Sequence, residues 1–322
     1  MKFPRKSAIL ENAKLDFVNI DNILGASKKE RKSKISGYVL LKYPDSIDLI
    51  FLRDGNPINA GRFSRNARKV LPIEEVVKKA KQSTTGLISV YETDFKVIRM
   101  IFTTIKDKPI FKEKDVSEVD IVKLIKKLIE LNFNGFFEMR KGISFSYVCF
   151  EKGYAKQGFF PEKIGIPLSN KEFLKTLLKA SKTKGLKISA FKSAIREDEQ
   201  ASPAAISLLL QVINSLSKKV SDVVGISLTK RTTLMAFDKT RELYDWVSSF
   251  TIKDIRIEGT TVTSSKELTD GFAYLINDMI EFYKPILGDR IDKIFKETLK
   301  DYRFALKELG FYKKPSMKDY EE

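Results

Sequence analysis

Residues 36–60 read SGYVLLKYPDSIDLIFLRDGNPINA and predict two paired strands with a short return strand. Gly37 opens an apolar run, and a Pro-Asp pair marks the first turn. Asp54 and Gly55 form a typical hairpin turn, because glycine tolerates a positive φ. The residues between these turns are rich in branched and aromatic side chains, which favour strands. The stretch therefore predicts an antiparallel hairpin.

The same layout returns at residues 134–159, which read NGFFEMRKGISFSYVCFEKGYAKQGF. In both places a helix precedes the hairpin, another helix follows it, and a strand led by glycine comes last. The turn glycines recur at shifts of 98, 98 and 99 residues: Gly37, Gly55 and Gly86 in the first copy, and Gly135, Gly153 and Gly185 in the second. A repeated set of turn positions at nearly one shift indicates an internal duplication.

The expected fold class is α+β: two tandem, hairpin-rich units of antiparallel sheet plus helix, followed by a mixed, mostly helical C-terminal region. The expected domains are residues 1–104, 105–196 and 197–322. The local pattern also predicts a strand at residues 97–103 and a charged linker at residues 104–117. Within the C-terminal region it predicts short strands between helices, at residues 223–228, 233–237 and 254–257.

Composition narrows the function classes. The 322 residues include 59 basic and 42 acidic side chains, a net charge of +17, which suits nucleic acid, anionic lipid or an acidic protein partner. A lysine-rich proteome, as in an AT-rich or thermophilic source, explains the same surplus. No apolar run approaches the ~18 residues of a membrane span, and the first residues are too short an apolar stretch for a signal peptide. A single cysteine rules out an internal disulfide framework, so we expect a cytoplasmic protein.

Motifs for catalysis are absent from the sequence. The chain has no histidine, which excludes Ser-His-Asp sets and HExxH sites, and it contains neither a P-loop nor GxGxxG. Its one cysteine, Cys149, alternates with aromatic residues in a predicted strand and is interpreted as a core residue. We expect a protein that is not an enzyme and has no cofactor or metal.

Two basic segments, residues 28–34 and 62–81, contain the candidate binding side chains. Arginines grouped around Phe63 suit phosphates or an acidic helix, because guanidinium groups bind such anions in a bidentate manner. A solvated surface explains the same residues. The candidates for anion or partner binding are Lys28, Lys29, Arg31, Arg62, Arg65, Arg68, Lys69, Lys78 and Lys81.

A family resemblance adds to this interpretation. The run IFLRDG at residues 50–55, then PINA at residues 57–60, a helix, and GLI at residues 86–88 resemble the PATAN-type module, the N-terminal domain of PatA-like response regulators. The second copy resembles a more diverged member, with Lys152 at the position of the turn aspartate. The resemblance implies a bacterial signalling context and a non-catalytic module that engages other proteins. It transfers no catalytic residues.

These observations predict a non-catalytic protein-interaction or scaffold protein of a bacterial cytoplasmic signalling or regulatory system. Two alternatives stay open. One is a nucleic-acid-binding protein that uses residues 28–34 and 62–81. The other is a small-ligand receptor with a pocket between the two copies, lined by Tyr91, Tyr147 and Phe159. The duplication also allows the two copies to pack as a pseudo-twofold pair that presents a joint surface. Self-association of the chain is left open.

Overall fold

The computed structural model describes residues 1–29, 35–64, 67–182, 185–192 and 199–321, except the side chains of residues 26–29. The chain forms two compact units, Met1–Glu197 and Asp198–Glu322. Both predicted copies fall within the first unit. The predicted C-terminal region begins one residue before the second unit.

The first unit contains two copies of one arrangement, joined by a helix. The first copy comprises β1 (Ser7–Lys14), α1 (Ile20–Lys29), β2 (Gly37–Lys42), β3 (Ser46–Arg53), β4 (Asn56–Ser64), β5 (Arg68–Leu71), α2 (Ile73–Gln82) and β6 (Leu87–Glu92). The joining helix is α3 (Phe95–Lys106). The second copy comprises β7 (Phe111–Asp115), α4 (Ile121–Glu130), β8 (Gly135–Lys141), β9 (Ser144–Glu151), β10 (Tyr154–Phe160), β11 (Lys163–Pro167), α5 (Asn170–Ser181) and β12 (Leu186–Lys192).

The two sheets have the same topology. The strand order is β1-β6-β2-β3-β4-β5 in the first copy and β7-β12-β8-β9-β10-β11 in the second, and the neighbouring strands are antiparallel. Each strand therefore has a counterpart in the other copy. The predicted pair of tandem sheet-and-helix units is confirmed.

The duplication extends to individual hydrogen bonds at the hairpin turn. The Ser36 hydroxyl accepts a hydrogen bond from the Asp54 backbone N–H at 3.1 Å, and Asn134 Oδ1 accepts one from the Lys152 N–H at 2.9 Å. The two turns have closely matching backbone angles, with φ of 48° and 77° at Asp54 and Gly55, and 49° and 81° at Lys152 and Gly153. Two positive φ values in a two-residue loop are the requirement of a type I′ turn.

Gly37 and Gly135 occupy equivalent, crowded positions at the start of β2 and β8. A Cβ atom on Gly37 would overlap the backbone carbonyl of Tyr91, and one on Gly135 would overlap that of Phe191. Both carbonyls belong to the neighbouring strand that closes each copy. Glycine is therefore required because a neighbouring backbone approaches closely, although its φ is not positive here.

Three apolar clusters of described residues hold the first unit together. One lies between the first sheet and helices α1 and α2, and another lies between the second sheet and helices α4 and α5. The third joins the copies, because Tyr38 and Phe51 of the first share it with Tyr147 of the second and with Ile101 of α3. Phe3 is buried there, with its ring stacked 4.9 Å from that of Phe145. The copies thus bury their inner faces against a common core.

The predicted strand at residues 97–103 is wrong, because this segment is helix α3. The Asp94 side chain accepts a hydrogen bond from the Lys96 N–H at 2.8 Å and so caps the helix start. The polar residues Lys96, Arg99 and Lys106 recur at helical spacing, but only Arg99 lies within residues 97–103, so this short window does not show the helical period. Its branched side chains then resemble a buried strand. The predicted linker at residues 104–117 is also wrong, since it contains the end of α3 and strand β7.

The second unit is mainly helical, as predicted. It comprises α6 (Pro203–Val224), α7 (Ile226–Leu243), β13 (Phe250–Lys253), β14 (Arg256–Gly259), α8 (Ser265–Leu287), α9 (Arg290–Lys300) and α10 (Arg303–Glu308). Strand β14 overlaps the strand predicted at residues 254–257. The strands predicted at residues 223–228 and 233–237 are wrong, because α6 and α7 cover them.

The wrong prediction in α7 follows local preference, because the window at residues 233–237 begins with the β-branched Thr233 and ends with the aromatic Phe237. Two other threonines of α7 fit the helix well. The hydroxyls of Thr229 and Thr240 donate to backbone carbonyls four residues earlier, at 2.9 and 2.7 Å. These bonds satisfy the hydroxyls inside a helix, although the β-branched residues favour strands in a local reading. In the part of the chain that the structure describes, no helix combines the length and apolar character needed to cross a membrane.

Candidate functional site

Arg62, one of the predicted anion-binding residues, is already bound to a carboxylate of its own sheet. It lies on β4 opposite Asp48 on β3, and its guanidinium donates to the two Asp48 oxygens at 2.6 and 2.8 Å. Asp48 is fully buried, and Lys79 Nζ lies 3.4 Å from the same carboxylate. The hydrogen bonds to Asp48 raise the pKa of Arg62. This cation therefore neutralises an internal charge.

Arg68 links the two copies. It begins β5 in the first copy, and its guanidinium donates to both carboxylate oxygens of Glu138 on β8, at 2.8 and 2.7 Å. The carboxylate of Glu138 is buried, and the Arg68 guanidinium carbon lies 5.0 and 5.8 Å from the ring centres of Phe63 and Phe145. A bidentate pair with two aromatic neighbours restrains the guanidinium in one orientation. Arg68 therefore joins the copies.

The remaining candidates differ in their surroundings. Lys81 Nζ forms an exposed ion pair with Asp21, at 2.7 Å, which joins α2 to α1. Lys69 and Lys78 are exposed. The side chains of the other four candidates lie outside the described part of the structure: Lys28, Lys29, Arg31 and Arg65.

A cleft of about 1090 Å³ lies between the two copies, but its lining differs from the predicted one. Tyr91, Tyr147 and Phe159 are buried in the shared core instead. Among the described residues, six basic and four acidic side chains line the cleft, and of these Arg68 and Glu138 neutralise each other. The cleft is thus large but of mixed charge, which gives no strong preference for an anion.

The net positive charge of the chain comes from the first unit. Residues 1–197 contain 40 basic and 22 acidic side chains, a difference of +18. Residues 198–322 contain 19 basic and 20 acidic ones, a difference of −1. A general lysine-rich composition would have raised the charge of both units. The asymmetry therefore indicates that the surplus is a property of the duplicated unit.

The exposed lysines of helices α4 and α5 form the strongest cationic surface that we identify among the described residues, and we call it the α4–α5 face. Its exposed cations are Lys123, Lys126, Lys127, Lys171, Lys175, Lys179 and Lys182. The two helices contain only two acidic residues, Glu130 and Glu172. Hydrogen bonds from Ser169 lower the pKa of Glu172, which serves the capping box of α5.

The α4–α5 face also carries apolar side chains that solvent reaches. Val122 is 46% exposed, Leu131 is 66% exposed and Leu178 is 43% exposed. The sequence did not point to this surface, because its lysines are spaced along two helices instead of forming a dense basic run. The available signal was a lysine at every fourth position of a predicted helix, which places the charges on one face.

The described residues offer little for metal binding or nucleophilic chemistry. No three metal-ligating side chains cluster among them. Burial raises the pKa of the Cys149 thiol to about 11, and its Sγ lies 3.4 Å from Met100 Sδ. A half-buried thiol whose pKa is raised is mostly protonated at neutral pH, and it is therefore a poor nucleophile.

Comparisons with known proteins leave the family open. No family model matches the chain, and no curated protein matches it. Among solved structures, the crystal structure of the DNA polymerase III subunit beta from Pseudomonas aeruginosa matches at 10% identity, with a TM-score of 0.14. The match covers 61% of this chain and 66% of that one, slightly under two thirds. A TM-score this low supports no conclusion on fold or function. The PATAN resemblance stays a prediction.

Proposed function

We propose that the chain is a non-catalytic protein-interaction protein of a bacterial cytoplasmic regulatory assembly, whose duplicated unit holds an acidic protein partner. The observation that carries this proposal is the charge asymmetry, +18 in Met1–Glu197 against −1 in Asp198–Glu322. The bacterial and regulatory context comes from the PATAN resemblance. The acidic character of the partner comes from the charge.

The basic side chains of the first unit fall into two groups, one paired internally and one exposed. Arg62 and Arg68 are bound to buried carboxylates, so they stabilise the unit. The exposed lysines supply the charge that a partner meets. Exposed cations raise the rate of encounter with an acidic surface and discriminate against basic ones.

The proposal is tested with the full chain and a photo-crosslinking poly-L-glutamate probe. We expect salt-sensitive binding, with crosslinks on residues 1–197 and few on residues 198–322, although the latter contain 19 basic side chains. A polyglutamine probe of equal length is the control. Crosslinks spread over both units, or equal binding of the control, would show that the proposal is wrong.

Nucleic-acid binding through residues 62–81 is a weaker proposal. Two of the arginines there already neutralise internal carboxylates, and Lys81 is paired with Asp21. The same segment offers Lys69 and Lys78 as exposed cations. A duplex DNA probe in the same crosslinking experiment measures this alternative directly.

A further inference from the structure

We infer that the α4–α5 face is the docking site, and that it takes an acidic amphipathic helix of the partner. This inference rests on the proposed function, and it names the surface and the chemistry of what binds there. It follows from three observations: the helical spacing of the lysines, the ion pair on the equivalent face of the first copy, and the exposed apolar side chains on α4 and α5.

The lysines are ordered in rows along both helices. Lys123 and Lys127 are four residues apart on α4, and Lys171, Lys175 and Lys179 repeat the same spacing on α5. Four residues advance a helix by about 6 Å and return to the same face. Helices α4 and α5 pack against the same side of the second sheet through one apolar cluster. The rows therefore form one cationic surface.

The first copy provides an internal comparison. In the equivalent helix layer, Lys81 of α2 is paired with Asp21 of α1. In the second copy, no ion pair within the described residues joins the lysines of the α4–α5 face to a carboxylate. Neighbouring like charges on a helix repel each other and reduce stability. An acidic partner would remove this repulsion.

The apolar side chains distinguish a protein partner from a nucleic acid. Leu131 continues the row of Lys123 and Lys127, and Leu178 lies within one helical turn of Lys175 and Lys182. Phosphate groups gain little from such leucines, because contacts to the backbone of a nucleic acid are polar and ionic. A helix with one acidic and one apolar stripe satisfies both kinds of side chain. Amphipathic helices bind other helical surfaces through such stripes.

The small size of the surface predicts a weak interaction. Helices of 10 and 12 residues are about 15 and 18 Å long, so the face buries less than a stable interface of roughly 800 Å² on each side. Binding should therefore be transient and sensitive to salt, since exposed charges are screened within about 10 Å at 0.1 M salt.

The test measures fluorescence anisotropy of three labelled probes with the full-length protein. The first probe is a peptide with leucines at helical spacing and glutamates elsewhere, the second is the same composition with the leucines scattered, and the third is a duplex DNA. The main variant carries Lys127→Glu and Lys175→Glu. The matched control carries Lys69→Glu and Lys78→Glu in the first copy, which makes the same change in net charge. Circular dichroism confirms that both variants fold.

We expect the main variant to weaken binding of the first peptide about tenfold, because several exposed ion pairs become repulsive, and the control to change it less than about threefold. Leu131→Ser with Leu178→Ser should weaken the first peptide and leave the second unaffected. Equal losses in the main and control variants would overturn the docking site while leaving the proposed function standing. Tighter DNA binding that depends on Lys127 and Lys175 would overturn it in favour of nucleic acid. No binding of either peptide would overturn both proposals.

Discussion

The ion pair between Arg68 and Glu138 connects the two copies, and replacing Arg68 with methionine tests whether it holds them together. Methionine keeps an apolar stem next to Phe63 and Phe145 but removes the guanidinium. Glu138 then loses the donors that now lie 2.7 and 2.8 Å from its oxygens. Its side chain is only 2% exposed, so water replaces those donors poorly.

The expected loss is large because a buried charge would be left without a partner. Breaking a buried ion pair on one side costs about 3–5 kcal/mol. Arg68 lines the cleft, and its side chain is 20% exposed, which lets some water reach the vacated position. We therefore expect Arg68→Met to lower the free energy of unfolding by about 3 kcal/mol. Replacing both residues, as in Arg68→Met with Glu138→Leu, should restore at least about 2 kcal/mol, since removing both charges is often neutral.

Urea unfolding measures this loss separately from the second unit. The only tryptophan, Trp246, lies in the second unit, so its fluorescence follows that unit alone. Far-UV circular dichroism follows both units. A loss of 3 kcal/mol should lower the urea midpoint of the dichroism transition of the first unit by about 1–3 M, while the tryptophan transition stays in place.

Two results would refute this reasoning. One is a loss below about 1 kcal/mol for Arg68→Met, which is the range of an exposed pair. The other is a double variant that is no more stable than the single one. Lys81→Met is the matched control, because it breaks an ion pair with Asp21 whose side chains are 48% and 58% exposed.

Three further predictions test the turns, the close backbone contact and the thiol. Gly37→Ala and Gly135→Ala should each lower the free energy of unfolding by more than about 2 kcal/mol, because the new methyl group would overlap a carbonyl. Urea titration measures this change, and a loss below about 0.5 kcal/mol in either variant would contradict the prediction. Lys152→Asn should raise the free energy of unfolding by about 0.5–1 kcal/mol, because asparagine tolerates the φ of 49° better, and an unchanged or lower urea midpoint would contradict it. Cys149 should react with iodoacetamide only slowly at pH 8, because partial burial raises the pKa of the thiol to about 11 and keeps it protonated. The reaction should become faster as the pH rises towards about 11. Labelling at pH 8 at the rate of the urea-unfolded chain would contradict the prediction.

The sequence predicted the parts of the fold that depend on local turn chemistry. A type I′ turn needs two positive φ values, so Asp54-Gly55 and its counterpart at Gly153 were visible from composition and spacing alone. Helix α3 was predicted wrongly because the window at residues 97–103 was too short to show its period. Its polar residues Lys96, Arg99 and Lys106 recur at helical spacing, but only Arg99 lies within that window. The branched side chains around Arg99 favour a strand in a local reading.

The candidate site was harder to predict because charge pairing is a long-range property. Arg68 lies 70 residues from Glu138, and no local pattern shows that the two meet. Arg62 pairs with Asp48 across a hairpin, which strand register would have suggested once the turn was assigned. The dense basic segment therefore looked like a binding surface, while part of it serves the interior. The regular lysines of α4 and α5 looked like ordinary solvated helices.

Divergence between the copies separates structural from functional requirements. Both copies keep the turn angles, the crowded glycines and the strand order, since loss of any of these disrupts the sheet. They differ in whether their basic side chains form ion pairs. The first copy pairs Arg62 with Asp48 and Lys81 with Asp21, whereas the second copy exposes a lysine face without such pairs among its described residues. Selection for stability alone would not favour like charges next to each other. The unpaired face of the second copy is therefore the part of this molecule that a partner best explains.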